Sequence, residues 1–292
     1  MNTIVGAISH KGQQMYRRYW DEFVLFAAHL VEGKATFLPA SPYLVRCFCQ
    51  ALSTQGRAPS TIRGYLTSIA GVHKSAGFPD PTAHYLTRRL IKGLVLAHGT
   101  VDDRDPLSEQ DLTSLLHSLR HVGCSSYNLS LFRAMFVLMF FGFLRISEVT
   151  KHRHNLQYNQ CTITSACVKL TFQSYKHSHV KPYKLDVPAM NSRSCPRNLL
   201  TRYLQLRGSA PGPLFLYADG KPVSRGYFAK VLKSAVTHAH LPGRITPHSF
   251  RIGAATRAAV KGYTAEQIKV FGRWRSNAYM SYIRVANCKS PR

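Results

Sequence analysis

Residues 248–284 read HSFRIGAATRAAVKGYTAEQIKVFGRWRSNAYMSYIR, and this is the most informative stretch of the chain. The Thr-Pro pair at 246–247 is typical of a helix start. His248 and Arg251 are three residues apart, so a helix beginning here places both on one face of its first turn. The N-terminus of a helix also favours anions. The small residues 253–256 predict that the helix packs closely against its neighbours.

Two further helices are predicted within the same stretch. Thr264 and Gln267 have the spacing of a capping box, in which each side chain bonds the backbone of the other residue. Gly272 is typical of a helix end. Ser276 can cap a last helix.

Trp274, Tyr279 and Tyr282 are the aromatic residues of interest near this end. The two tyrosines are three residues apart and can share one helical face, so spacing alone does not decide between them. Tyr282 is the better nucleophile candidate because it lies eight residues after Trp274. Taken alone, the tryptophan is typical of a core, and the tyrosines could pack on a core with their hydroxyl groups outward.

A second arginine lies far upstream, in the sequence GFLRISE at 142–148. The apolar run 134–144 that leads into it predicts a buried core helix, so Arg145 lies next to the core. Glu148 follows three residues later and can orient Arg145 or pair with it. The alternative is an arginine that only counters the dipole at the C-terminus of a helix.

These side chains suit an enzyme that binds a phosphate and attacks it with a tyrosine. Cleavage of a phosphodiester by a protein nucleophile needs an attacking oxygen, cations on the non-bridging oxygens and an acid for the leaving oxygen. Arginine suits the second task, because its planar guanidinium binds phosphate through two hydrogen bonds and stays charged.

The order and spacing of these segments resemble the tyrosine recombinase (phage integrase-like) family. That family has an arginine, a lysine, a His-x-x-Arg motif, a histidine or tryptophan, and then the tyrosine. The resemblance covers nearly the whole chain. The segments that match the family's conserved boxes are GFLRISEV, HSFRIGAAT and GRWRSNAYMSYIR. The resemblance assigns catalytic roles to Arg145, His248, Arg251, Trp274 and Tyr282 in these segments. Glu148 accompanies Arg145 as a supporting residue.

The lysine of the family lies in a β-hairpin turn, where this chain has FQSYKHSHVKPYKLDVP at 172–188. Lys176 is the best match, and Lys181 and Lys184 are rivals. The resemblance implies that this lysine protonates the leaving 5′ oxygen while Tyr282 forms a 3′-phosphotyrosine. It implies neither a metal nor any other cofactor, since the arginines stabilise the charge.

The resemblance also implies the partners: double-stranded DNA clamped between two domains, and further copies of the chain in a dimer or tetramer on DNA. The tryptophan at position 274, where many bacterial members have histidine, resembles recombinases of eukaryotic mobile elements such as the DIRS-type retroelements. Two alternatives are a non-catalytic DNA-binding protein descended from a mobile element and a type IB topoisomerase-like activity. Against the former, every catalytic position holds an acceptable residue.

The charge of the chain supports a polyanionic partner. Among 292 residues, 39 Lys and Arg stand against 13 Asp and Glu, giving a net charge of +26. The basic residues are spread along the chain, which favours nucleic acid over a membrane surface. No apolar run approaches the roughly 20 residues that span a bilayer.

The sequence predicts an intracellular protein. Residues 1–14 lack the apolar core of a signal peptide. The seven cysteines form no paired framework and have no zinc-site spacing. We therefore expect a protein that is not secreted and works in the nucleus or another compartment that contains DNA.

The periodicity predicts a mainly α protein with a small β-sheet. Residues 1–100 are expected to form a helical core-binding domain, 101–106 a linker, and 107–292 the catalytic domain, a mixture of helices and strands. Ser41-Pro42 and Ser60 are helix-start signals in the first domain. In the second, the β-rich segments 161–172 and 184–187 predict strands joined by a basic loop.

Four basic residues of the first domain are candidate DNA contacts: Arg63, Arg88, Arg89 and Lys92. The last three lie opposite the apolar face of a predicted helix. Such charges could equally form a solvated face, and the excess of positive charge favours contacts with phosphates.

Overall fold

The computed structural model describes residues 10–30, 38–98, 103–123, 125–173 and 182–284. Contacts divide the chain into two compact units, Met1–Asp102 and Asp103–Arg292. The predicted mainly α fold with a small sheet is confirmed.

The first unit is helical. Its helices are α1 (His10–Leu30), α2 (Pro42–Thr54), α3 (Pro59–Ser75) and α4 (Tyr85–His98). Their apolar faces bury a core that includes Phe23, Phe48, Tyr65 and Ile69. Tyr65 lies at its centre, with its ring stacked on Tyr19 and edge-on to Phe48.

The helix starts of this unit agree in part with the sequence signals. Ser41 caps α2, accepting a hydrogen bond from Leu44 N at 3.2 Å, as predicted. Ser60 was expected to cap the third helix, and this is wrong. The cap residue of α3 is Ala58, and Pro59 is the first helical residue. Proline has the φ angle of a helix already, so the turn begins one residue earlier without a side-chain cap.

All four predicted DNA-contact residues of the first unit are exposed. Arg63 lies on α3, and Arg88, Arg89 and Lys92 lie on α4. The other side of α4 buries Thr87, Ile91 and Leu94.

The second unit holds the remaining elements. Its helices are α5 (Glu109–Ser118), α6 (Ser126–Phe141), the short α7 (Ile146–Val149), α8 (Pro196–Arg207), α9 (Arg225–His238), α10 (Ser249–Val260) and α11 (Ala265–Gly272). Its strands are β1 (Cys161–Ile163), β2 (Cys167–Phe172) and β3 (Tyr183–Pro188). A 3-10 helix, Asn277–Tyr282, takes the place of the predicted last helix, and Ser276 caps it.

Helix α6 forms the centre of this unit. Every residue from 134 to 140 is buried, so the helix is covered on all sides, and it packs against α8 and α10. The buried core helix predicted for 134–144 ends at Phe141. The chain then turns, and Phe143 has a φ of 52°.

The sheet is an antiparallel meander in the order β1-β2-β3. The predicted strand segment 161–172 folds as two strands, with a turn at 164–166. The apolar residues Val168, Leu170 and Phe172 alternate along β2 and face the core. At the far end of β2, Phe172 pairs with Tyr183 of β3. The segment 174–181 between these strands lies outside the described residues.

Helix α10 contacts its neighbours closely, as its small residues predicted. A side-chain carbon added at Gly253 would lie 2.0 Å from the backbone oxygen of Leu107. Glycine at this position therefore allows the helix backbone to approach the segment that leads into α5. Residues 249–256 of α10 are all buried.

No helix in the described parts of the chain is both long enough and apolar enough to cross a membrane.

Candidate active site

The turn after α6 creates a shared acceptor for two arginines. The positive φ of Phe143 is a conformation that residues other than glycine adopt rarely. The Phe143 carbonyl accepts hydrogen bonds from Arg251 Nη1 at 2.5 Å and from Arg273 Nη2 at 3.1 Å. The strained turn, which lies two residues before Arg145, is thereby joined by hydrogen bonds to Arg251 and Arg273.

Arg145 lies at the cap position of α7, where Glu148 holds it from two sides. Its backbone N donates to Glu148 Oε2 at 2.8 Å, and its Nη1 lies 3.2 Å from Glu148 Oε1. Its Nη2 donates to the backbone oxygen of Arg273 at 3.3 Å. The Arg145 side chain keeps 16% of its surface exposed, so an anion from solvent can reach it.

Arg251 lies in the first turn of α10 and is almost fully buried, with 1% of its surface exposed. Its guanidinium donates to the carbonyls of Phe143 and Gly272. Burial lowers the pKa of Arg251 to about 9, and repulsion from Arg145 and Arg273 acts in the same direction. An anion bound here would relieve that cost.

Arg273 is the site residue that the sequence did not identify. Its side chain is fully buried, and its Nη2 lies 2.8 Å from Glu148 Oε2. It follows α11 in the left-handed conformation, with a φ of 55°. The helix end predicted at Gly272 is correct, but Arg273 and not the glycine adopts the left-handed geometry of the cap. The only signal in the sequence was its place between Gly272 and Trp274.

Glu148 is therefore shared by two arginines. Burial alone would raise the pKa of its carboxyl group, but Arg273 and Arg145 outweigh burial and hold the pKa below its ordinary value. The carboxylate stays charged and orients both guanidinium groups. The expectation that Glu148 orients or pairs with Arg145 agrees with this geometry.

Three rings meet beside Arg251. The Tyr282 ring centroid lies 4.8 Å from that of His248 and 4.9 Å from that of Trp274. The guanidinium carbon of Arg251 lies 4.1 Å from the Trp274 ring centroid and 5.6 Å from that of Tyr282. A side-chain carbon at Gly272 would overlap the indole at 1.6 Å, so this glycine gives Trp274 its space.

The two candidate tyrosines have different surroundings. Tyr279 is buried in an apolar cluster with Phe143, Ala254 and Ile268. Tyr282 is half-buried beside His248, Arg251 and Trp274. The structure thus places Tyr282, and not Tyr279, among the predicted site residues.

A buried threonine fixes the backbone of Tyr282. Thr256 Oγ1 donates to the Tyr282 carbonyl at 3.2 Å and accepts from Arg284 N at 3.0 Å. The chain is thereby anchored to α10 directly after the residue that carries the phenol.

Of the candidate lysines, Lys176 and Lys181 lie outside the described residues. Lys184 is exposed on β3. The strand ends that bracket the undescribed segment lie beside the site. The Arg273 guanidinium carbon is 4.4 Å from the Phe172 ring centroid and 5.7 Å from that of Tyr183. Phe172 and Tyr183, which flank the segment of Lys176 and Lys181 in the sequence, are thus both next to Arg273.

Together these groups form a cationic, partly open site around a phenol. Two guanidinium groups pair with one carboxylate, a third is buried nearby, and an indole and an imidazole border the phenol ring. Such a site can bind an oxyanion and stabilise negative charge that develops beside the phenol oxygen. Within the described residues, no group of three or more His, Cys, Asp or Glu side chains is placed to hold a metal ion.

Solved structures with a similar fold are integrases and recombinases. A lambda integrase fragment, a dimer bound to a COC′ core site, has a TM-score of 0.66 at 14% identity, over 99% of this chain and 95% of that one. The Tn1549 transposon integrase bound to transposon right-end DNA has a TM-score of 0.67 at 16% identity, over 96% and 90%. The XerH recombinase in a post-cleavage complex with a palindromic difH substrate has a TM-score of 0.62 at 14% identity, over 91% and 73%.

At these identities the similarity establishes the fold. No curated protein matches the sequence. The model of the phage integrase family matches residues 105–287, well over half of the chain, and this segment contains every group of the site described above. The chain therefore belongs to the phage integrase family, the tyrosine recombinases.

Proposed function

We propose that the protein cleaves and rejoins DNA strands through a phosphotyrosine at Tyr282. The observation that carries this proposal is the contact of the Tyr282 ring with His248 and Trp274 beside the buried Arg251. A phenol placed next to cations and hydrogen-bond donors can act as a nucleophile toward a phosphate held by the same groups.

The reaction is a transesterification. A bond forms between the Tyr282 oxygen and phosphorus, and the bond from phosphorus to the 5′ oxygen breaks. The phenol loses a proton, for which His248, whose ring lies beside the phenol, is the proposed acceptor, while the leaving oxygen gains a proton. Attack by the 5′-hydroxyl of another strand reverses these steps and exchanges strands with no external energy source. The strand exchange distinguishes a recombinase from a topoisomerase, which rejoins the strand that it cut.

The arginines are proposed to hold the scissile phosphate. Arg145 is partly open and Arg251 is buried, so an entering phosphate would meet the first and lie against the second. Guanidinium groups bind two phosphate oxygens at once, and their charge is effective in a site with little water. The indole N–H of Trp274 is a further donor to a phosphate oxygen.

Lys176 is proposed as the acid for the leaving oxygen, with Lys181 and Lys184 as rivals. Support comes from Phe172 and Tyr183, which flank this segment in the sequence and lie beside Arg273. Tyr183 is also tied to the helix end that precedes the site, because its hydroxyl donates to Val270 O at 2.9 Å. Lys184 follows Tyr183 on an exposed position of β3.

The proposed substrate is double-stranded DNA, bound by several copies of the chain. The net charge of +26 supports a polyanion. The similar structures include a lambda integrase dimer on a core site and a tetramer on a Holliday junction. In the first unit, the exposed Arg63, Arg88, Arg89 and Lys92 are the proposed phosphate contacts of a core-binding domain.

We further propose an origin in a eukaryotic mobile element of the DIRS type, with action in the nucleus or another compartment that contains DNA. The support is Trp274, which lies where many bacterial members have histidine. We also propose that the first unit is a core-binding domain and that its boundary with the catalytic domain lies near residues 101–106.

A screen for covalent adducts tests the proposed reaction. The protein is mixed with a pooled library of nicked duplex DNA, with and without EDTA, and adducts that resist SDS are collected and sequenced. We expect adducts that survive EDTA and are absent from Tyr282→Phe. Salt-sensitive DNA binding without any adduct would instead favour a non-catalytic DNA-binding protein, and loss of adducts in EDTA would contradict the metal-independent mechanism.

A further inference from the structure

Arg273 combines two features that are costly for a protein. It has the left-handed backbone geometry, with a φ of 55°, that residues other than glycine adopt rarely. Its guanidinium is also fully buried, and a buried cation costs free energy unless it is paired. The surrounding contacts must therefore hold this residue in place, and those contacts indicate what it does.

The contacts of Arg273 lead to both functional arginines. Its Nη2 reaches Glu148 Oε2 at 2.8 Å and the Phe143 carbonyl at 3.1 Å, and the same carbonyl accepts from Arg251. Its own backbone oxygen accepts from Arg145 Nη2 at 3.3 Å. Arg273 thus shares Glu148 with Arg145 and shares the Phe143 carbonyl with Arg251, the two arginines proposed to hold the phosphate.

Its aromatic contacts explain how the cation tolerates burial. The guanidinium carbon lies 4.4 Å from the ring centroid of Phe172, a distance typical of a cation–π contact. The Nε atom is buried and has no hydrogen-bond acceptor among the described residues. The side chain is therefore not fully satisfied by hydrogen bonds, which is unusual for an arginine that serves only to stabilise the fold.

A count of formal charges shows what Arg273 changes at Glu148. With Arg273 present, the group formed by Arg145, Arg251, Arg273 and Glu148 has three positive charges and one negative charge, a net charge of +2. Without it, the charge of Glu148 would be directed at Arg145 alone, and that ion pair would be neutral. Arg251 would then be the single uncompensated cation of this group.

We propose that Arg273 is a positioning residue that binds Glu148 and thereby keeps the charge and the orientation of Arg145 available to the scissile phosphate. The inference rests on the proposed function of the site. Arg145 uses one N–H of Nη1 for Glu148 and one of Nη2 for Arg273, and it keeps further N–H groups on both atoms for an anion.

The alternative is that the Arg273–Glu148 pair only stabilises the fold. The two roles differ in the effect of a second substitution. If Glu148 neutralises Arg145 once Arg273 is removed, then replacing Glu148 by a neutral residue should restore sulfate affinity and cleavage. If the pair is only structural, the second substitution can restore stability, because it removes an uncompensated buried charge, but the sulfate affinity and cleavage rate of the folded protein should equal those of wild type in both variants.

The first readout is anion binding, which does not depend on chemistry. Sulfate is titrated at constant ionic strength, and the rise in melting temperature gives its affinity. We expect Arg273→Met to weaken sulfate binding about 10-fold, an effect within the range found when a group that orients a functional side chain is removed. Arg273→Met/Glu148→Gln should recover most of it. Arg145→Ala identifies the site, since it should abolish the effect.

The second readout is single-turnover cleavage of the nicked duplex recovered from the adduct screen. Arg273→Met should cleave about 10- to 100-fold more slowly, with DNA affinity little changed, and the added Glu148→Gln should recover part of the rate. If Arg273→Met does not fold, Arg273→Gln replaces it, because glutamine keeps a hydrogen bond to Glu148 without the charge.

The outcomes separate the two hypotheses. Sulfate affinity and cleavage equal to wild type in the Arg273 variants, or a double variant no better than the single one, would overturn the role of Arg273. Absence of an adduct at Tyr282 in the wild-type protein would contradict the proposed function, while the sulfate titration would still test the effect of Arg273 on Arg145.

Discussion

The guanidinium carbon of Arg251 lies 4.1 Å from the centre of the Trp274 indole ring. Arg251 is buried, and the Trp274 ring packs against one face of its guanidinium group. The ring supports the arginine by a cation–π contact, and the proposed function gives Trp274 a second task, the donation of its N–H to a phosphate oxygen.

Substitutions at Trp274 separate these tasks. Trp274→Phe keeps an aromatic ring against Arg251 and removes the N–H, so single-turnover cleavage should slow about 100-fold, the usual cost of losing one donor to a developing charge. Trp274→Ala should be slower still, because the arginine loses its support. A Trp274→Phe variant as fast as wild type would show that the N–H donates nothing to the reaction.

Glu148 should stabilise the fold in a pH-dependent way. Its pKa in the folded protein is below the ordinary value of 4.5, so its contribution is complete above pH 4.5 and is lost as the pH falls through the lower, folded pKa. At neutral pH, Glu148→Gln should lower the free energy of unfolding by about 3 kcal/mol, the cost of breaking a buried ion pair. Denaturant titrations at several pH values measure it.

The difference in the free energy of unfolding between wild type and Glu148→Gln should become smaller below pH 4.5. Asp219→Asn is the matched control, because the ion pair of Asp219 with Lys221 is exposed and should contribute little at any pH. A difference between wild type and Glu148→Gln that is constant from pH 7 to the acid limit would contradict the charge assigned to Glu148.

Thr256 should affect chemistry more than DNA binding. Thr256→Val keeps the shape and removes the hydrogen bonds to Tyr282 O and Arg284 N. We expect cleavage to slow about 10-fold, because a small displacement of a nucleophile is enough to reduce its rate. DNA affinity, measured in the same buffer, should change by less than about twofold. A parallel loss of both would indicate a general effect on folding.

The basic face of α4 should contribute to the salt dependence of DNA binding. Each phosphate contact adds about 0.9 to the slope of log affinity against log salt concentration, so Arg88→Gln should reduce the slope by roughly that amount. Lys74→Gln is the control in the same unit, since Lys74 already pairs with Asp80 at 2.9 Å. Equal slopes for wild type and Arg88→Gln would remove Arg88 from the DNA interface.

Local signals predicted much of the secondary structure. The predicted capping box of Thr264 with Gln267 is present. It could be predicted because it depends on residues only three positions apart. Ser60 failed as a cap for a similarly local reason, since Pro59 had already begun the helix.

The sequence could not identify the interior of the site. Arg273 pairs with Glu148 across 125 residues of sequence, and no local pattern distinguishes a buried arginine from an exposed one. The turn at Phe143 is similar, because its positive φ makes sense only once Arg251 and Arg273 bond its carbonyl. The choice between Tyr279 and Tyr282 likewise needed the packing of both residues.

The residue to which DNA becomes attached is the most direct test of Tyr282 as the nucleophile. Trypsin should release Ser276–Arg284, a single peptide that contains both Tyr279 and Tyr282. Fragment-ion mass spectrometry of this peptide from nuclease-treated adducts identifies the residue that carries the phosphate-linked nucleotide. We expect the nucleotide on Tyr282, and we expect Tyr279→Phe still to form the adduct. A nucleotide on Tyr279, or on any residue outside this peptide, would contradict Tyr282 as the nucleophile.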